Sequence, residues 1–268
     1  MAFADDGDDG SRRKSNIIKI VVGVVALVVI GLAIKYFVTG TLFGPEPPGA
    51  RIDRELRADP LGGEAATAIR EAYPDEYAAF TERLATMPRD IGSEFNLQAQ
   101  ASDFTKQLMI NHYGGLARAP SDQLVEIARQ YASLVGTLQR RDVALCGQYL
   151  TMGFIAGLRP PPEVVPIMSR ITILQIRAAR AGETQPSAAP RGALTPEDQA
   201  ALLAEINRRS PQSGALLSQP LGLMGAPADQ QCAAGLAMYQ AISALPPETA
   251  AKVMVSLLGD TFGPQRQR

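Results

Sequence analysis

Apolar positions fall into three regimes along this chain: an unbroken run near the N-terminus, a stretch interrupted by glycine and proline, and a long series of helical stripes. From Ile17 to Val38, 18 of 22 residues are apolar or aromatic, the exceptions being Lys19, Gly23, Gly31 and Lys35. As a helix this run is roughly 33 Å long, enough for a hydrocarbon core of about 30 Å. Only 15 residues separate the two lysines. The run spans a bilayer when Lys19 and Lys35 snorkel to opposite interfaces, with Tyr36 and Phe37 in the aromatic belt. Its Val and Ile content suits a buried strand in water, but its length is that of a membrane helix. A cleaved signal peptide is the nearest rival, because Arg12, Arg13 and Lys14 make a fitting basic start. Against it, the run exceeds the usual ~7–15 apolar residues and no small-x-small site follows closely.

The expected topology is therefore an uncleaved single-pass anchor. The cluster Arg12, Arg13 and Lys14 lies directly against the span, whereas Arg51, Arg54 and Arg57 lie farther out on the other side. Positive charge next to the span favours the cytoplasmic side. Residues 1–16 then form a cytoplasmic tail, 17–38 the span, and the rest a periplasmic body on a bacterial inner membrane. Five lysines against 21 arginines fit a GC-rich bacterial source. Residues 39–63 hold nine Gly or Pro in 25 positions and read as a tether.

Beyond the tether the periodicity is helical, and the alternation and Asn-Gly or Asp-Gly turns of hairpins are missing. A first region over 64–86, broken near Pro74, carries Tyr77, Phe80 and Leu84 as a stripe. A second covers 93–111, with Phe95, Phe104, Leu108 and Met109 available for burial, and is ended by Gly114-Gly115. The third, 120–141, is capped by Ser121 and presents Leu124, Ile127, Tyr131, Leu134, Val135 and Leu138 inward. The fourth, 142–158, is almost wholly apolar and is expected at the centre of the body. The fifth spans 163–181, with a kink at Pro166. After a polar linker at 182–193, Thr195, Pro196, Glu197 and Asp198 make a capped helix start leading to residue 209. A loop at 210–226 precedes helices at 228–245 and 246–259, and a frayed basic tail begins at Gly263. Residues 64–262 are thus expected to form an all-α bundle or short helical array of seven or eight helices.

A shift of 86 residues brings Cys146, Leu150, Met152, Pro160, Pro161 and Met168 onto Cys232, Leu236, Met238, Pro246, Pro247 and Met254. Pro120-x-Asp122-Gln123 likewise resembles Pro196-x-Asp198-Gln199. An internal duplication of 119–181 and 194–259 is one reading, and chance matching of Ala- and Pro-rich helices is the other. The two cysteines, both beyond the span, form an even count that an oxidising periplasm would join. Such a bond closes a loop of about 86 residues, worth on the order of 4 kcal/mol in the chain-entropy model. Two buried free thiols are the alternative.

Charge and residue chemistry narrow the function classes. A net charge of −1 and a slightly acidic body give no electrostatic footprint for nucleic acid. One histidine and two cysteines are too few for a His-rich or CxxC-type metal centre, and no cofactor motif is present. His112 reads as a helix-end residue rather than half of a Cys-His pair, since Cys146 lies in an apolar helix where a thiolate is disfavoured. Met152, Met168, Met224, Met238 and Met254 read as core fillers. The acidic pairs Asp75-Glu76 and Glu197-Asp198 read as first-turn residues.

One stretch resembles the catalytic motif of lytic transglycosylases, helical enzymes that cleave peptidoglycan. Glu205 is followed by Pro211, Ser213-Gly214-Ala215 and Gly222-Leu223-Met224 over about 20 residues. The departures are Ile206 where the family has serine, a longer spacing, and Gly225 in place of a glutamine. The resemblance implies Glu205 as a general acid. Without a catalytic constellation elsewhere, the preferred expectation is non-enzymatic. The chain is read as a tethered interaction or scaffold module whose partners are envelope or membrane proteins and the inner-membrane lipid. No small-molecule substrate is identified, and a peptidoglycan-cleaving enzyme is the alternative.

Overall fold

The computed structural model describes residues 48–58, 63–86, 103–153, 160–185, 190–219 and 222–263. Among them the regular structure is entirely helical, with no strand. No helix among the described residues is long and apolar enough to cross a membrane. The expected span at 17–38, with Lys19, Lys35 and Tyr36, lies outside them, as does Phe95.

The chain opens with three helices: α1 (Pro48–Ala58), α2 (Gly63–Ala72) and α3 (Pro74–Thr86). The first corrects the expected tether over 39–63. Proline is tolerated at a helix start, and Ile52 and Leu56, four apart, give α1 a short buried stripe. α3 buries Tyr77, Phe80 and Leu84 as expected. α2 buries Ala65, Ala66, Ala68, Ile69 and Ala72. The small side chains Ala65 and Ala68 let it approach Ile173 closely.

Helix α4 (103–111) stacks Phe104 on Phe80, with ring centroids 4.1 Å apart, and buries Leu108 and Met109. Gly114-Gly115 does not terminate it. The helix turns at His112, and both glycines fall within a short helix, α5 (Tyr113–Leu116). Their use is a backbone crossing: a Cβ on Gly115 would stand 2.3 Å from the Ala179 carbonyl, and one on Gly182 would stand 1.9 Å from the Gly115 carbonyl. Only glycine permits that approach.

The body is organised around α6 (Ser121–Arg141), whose residues Leu124, Ile127, Tyr131, Leu134, Val135 and Leu138 are all buried. Pro120, not Ser121, takes the cap position. The serine hydroxyl donates instead to Glu248. Around α6 pack α7 (Val143–Met152), α8 (Val165–Glu183), α12 (Ala228–Ala244) and α13 (Pro247–Phe262). α7 is shorter than the expected 142–158. It starts on Asp142, whose side chain accepts from Leu145 N at 3.0 Å, and stops at Gly153 with φ 71°. α8 begins at Val165, so Pro166 falls in the first turn, where its missing N–H costs nothing, and no kink results. It also runs past residue 181 to Glu183, shortening the expected linker.

That linker is not passive. The Arg191 guanidinium donates to the carbonyls of Ala117 at 3.4 Å and Ala119 at 2.6 Å, and to the Ser121 hydroxyl at 2.7 Å. Helix α9 (Pro196–Arg209) starts at the expected Thr195 cap, and Asp198, expected only as a first-turn acid, closes a capping box with it. The expected loop at 210–226 instead holds α10 (Pro211–Leu217) and α11 (Gly222–Gly225), the former capped by Ser210 through Ser213 N at 3.2 Å. α9 docks on α12 through Ile206 against Ala237 and Ala241. α13 continues through Gly259 to Phe262.

Cys146 of α7 and Cys232 of α12 form a disulfide with Cα atoms 5.4 Å apart, and both residues are 0% exposed. Of the pairs matched by the 86-residue shift, the two cysteines therefore meet. Their helices differ in length, ten residues against 17. Beside the bond lie Tyr131, Tyr149 and Tyr239, all buried, with Tyr131 and Tyr239 stacked at 5.0 Å. Gln175 donates to the Tyr131 hydroxyl at 3.2 Å. Burial pushes all three phenols above their ordinary range, Tyr239 to about 12. Met168 and Met254 fill the core, but Met152 and Met224 are 51% and 44% exposed and are not core fillers.

Candidate functional site

An open groove of about 820 Å³ runs between α1 and α3 and is closed at one end by the α2–α3 corner. This volume is in the range of ordinary ligand pockets, ~300–1,000 Å³. Its surface is made by small residues, Gly49, Ala50, Ala78 and Ala85, with Pro74 at the corner and the buried Tyr77 and Thr81 beneath. Three carboxylates line it, Asp53, Glu71 and Glu82, against one guanidinium, Arg70. Asp53 is already engaged: Arg57 donates to its two oxygens at 3.0 and 2.7 Å, and Arg70 is 4.0 Å away. Glu71 and Glu82 are exposed and form no ion pair with the described residues.

Tyr77 is 3% exposed, and its hydroxyl has no partner of normal hydrogen-bond geometry. Burial, and then the adjacent Asp53 carboxylate, push this phenol above its ordinary range. It therefore stays neutral, a donor at the base of an acidic groove.

The opposite face of α3 meets the chain's one histidine. His112 Nδ1 is 2.6 Å from Glu183 Oε1 at the end of α8, and Nε2 is 3.2 Å from Glu76 Oε1 in the first turn of α3. Its ring stacks on Tyr73 with centroids 3.7 Å apart. Glu183 stands at a helix C-terminus, the end that disfavours anions. Arg180, at 3.7 Å, and His112 offset that disadvantage. The histidine is thus a helix-end residue, as expected, and also the clamp between the N-terminal trio and the body. Its two ring nitrogens point at different acids, so they cannot ligate one ion together. No group of three metal-binding side chains is present among the described residues.

The other sequence candidates separate cleanly. Glu205 accepts from Arg208 at 2.8 and 2.5 Å and from Arg209 at 3.0 Å. The Arg208 hydrogen bonds first, and then its charge and that of Arg209, push the Glu205 carboxyl down to about 2. A general acid needs the opposite, a carboxyl held protonated near neutral pH. Cys146 and Cys232 are tied to each other, so no thiolate is available to pair with His112. Glu76 has a second use beyond its first-turn position, on His112, as does Asp198, whose carboxylate accepts from Lys252 at 2.9 Å.

The groove residues carry no signal in the sequence that points to them. Small residues mixed with scattered charges produce no motif, and the partners of His112 lie 36 and 71 positions away. No family model, curated protein or solved structure matches the chain.

Proposed function

We propose that this chain is a single-pass, membrane-anchored interaction module whose helical body faces an oxidising extracytoplasmic compartment, the periplasm of a bacterium. The observation that carries the interaction half of this reading is the α1–α3 groove, an open, small-residue surface beside Glu71 and Glu82, which form no ion pair with the described residues. The topological half is supported by the apolar run at 17–38 and by the fully buried disulfide, a bond that persists in oxidising compartments and is rare in reducing ones.

Because α1 begins at Pro48, only nine residues, 39–47, separate the apolar run from the groove-bearing helix. Fully extended, nine residues reach about 30 Å. The groove is then held within that distance of the bilayer, within reach of membrane-proximal partners rather than distant ones.

Two measurements test this reading together. Alkaline phosphatase fused after residue 263 should be active in a bacterial host, and green fluorescent protein fused there dark. Mild-detergent co-purification of the full chain should yield a partner that Ala78→Trp, which fills the groove, removes. An inactive phosphatase fusion contradicts the topology, and partners indifferent to Ala78→Trp contradict the groove.

A further inference from the structure

The charge and shape of the α1–α3 groove point to the chemistry of its occupant. We propose that it receives a cationic amphipathic helix of another protein, its apolar face on Ala50, Ala78 and Ala85 and its basic side chains on Glu71 and Glu82. This rests on the reading of the groove as the docking surface and adds the class of partner.

Three observations converge on it. The apolar part of the groove is built from alanine, glycine and proline, which leave room for the side chains of an incoming helix rather than projecting their own. Its charged lining is three acids to one base, and the base, Arg70, leans on Asp53 at 4.0 Å. Arg57 and Arg70 thus compensate Asp53 locally, while the Glu71 and Glu82 carboxylates are left for an external cation. Beneath them the buried Tyr77 phenol, beside Asp53, stays neutral and adds no positive charge to the floor of the groove. An anionic partner, whether nucleic acid or an acidic lipid surface, meets repulsion at the same rim. A neutral apolar helix leaves both glutamates without a role.

The test uses the full chain in mild detergent and two fluorescein-labelled helical 14-residue probes with the same Ala/Leu stripe. One is flanked by lysines, the other by glutamates, and binding is read by fluorescence anisotropy. The lysine probe should bind, weaken as salt is raised from 50 to 300 mM, and bind about three- to tenfold more weakly to the Glu71→Gln/Glu82→Gln double variant, as two rim ion pairs imply. Ala78→Trp should abolish binding, and the glutamate probe should not bind. Equal binding of both probes, blocked by Ala78→Trp, overturns the cationic assignment and leaves the groove standing. Binding of neither probe, or binding indifferent to Ala78→Trp, overturns the proposal. So does concentration-dependent self-association that Ala78→Trp removes, because the occupant is then a second copy. The topology of the anchor is read separately by the phosphatase fusion.

Discussion

The two ends of the described structure are held together by different means. Around α6 the interior is closed by large side chains that are almost fully buried, Leu124, Ile127, Tyr131, Leu134 and Leu138, and α7 is tied covalently to α12. The α1–α3 trio shares that core through Ile69, Tyr73, Phe80 and Leu84 and meets the body at the α2 alanines on Ile173, the Phe80–Phe104 stack and the His112 clamp between Glu76 and Glu183, with no covalent tie among the described residues. The difference separates tasks. The stapled end is closed covalently, while the end without a staple carries the groove and is expected to open locally at lower cost.

The largest way to break this contrast is to remove the staple. Cys146→Ala/Cys232→Ala should lower unfolding stability in chemical denaturation by about 4.6 kcal/mol, the chain-entropy value for an 86-residue loop. Groove binding by the lysine probe should survive at temperatures where the variant stays folded. Next in size, Leu134→Ala, at a position that is 0% exposed, should cost about 3 kcal/mol through lost burial and a residual cavity. That loss should appear throughout the body.

His112→Ala should be smaller and local, about 1–2 kcal/mol, because it removes the ring's contacts with two carboxylates that are themselves partly exposed and its stack on Tyr73. Faster hydrogen exchange confined to α1–α3 and the end of α8 is the expected signature, and uniform loosening contradicts the clamp. The smallest effect concerns pH. The Lys252 hydrogen bond, and then the Thr195 backbone, hold Asp198 below its ordinary value. A depressed folded-state value means the contribution is fully present above the unfolded value near 4 and fades as pH falls through the folded one. Asp198→Asn should therefore lower stability at pH 7 and flatten the acid limb, the two proteins converging as the pH falls below about 4.

What could be read without the structure follows from periodicity. The inner face of α6, the Tyr77–Phe80–Leu84 stripe and the Thr195 cap are all local patterns, and each reappears in the fold. The disulfide was legible from an even cysteine count and the expected compartment rather than from any pattern. α1 was not legible, because its stripe is only Ile52 and Leu56 amid glycines, prolines and charges. The same holds for α10 and α11, whose short sequences offer turn residues as readily as helix formers. The end of α7 depended on one glycine, Gly153, at positive φ inside a run that reads as continuous. The groove is not legible because its residues come from three helices and its α3 face, though at helical spacing, is made of small and charged residues rather than an apolar stripe. Glu205 drew notice through a motif resemblance, yet the structure surrounds it with arginines.

Native-state hydrogen exchange followed by mass spectrometry on the full chain, with and without reductant, tests the contrast most directly. The account predicts that amides of α1–α3 exchange through openings well below the global unfolding free energy and are unmoved by reductant. Amides of α6, α7 and α12 should exchange only near the global limit, and that limit should drop once unfolding exposes the disulfide to reduction. Equal protection at both ends, or a reductant effect as large in α1–α3 as in α7 and α12, would contradict it.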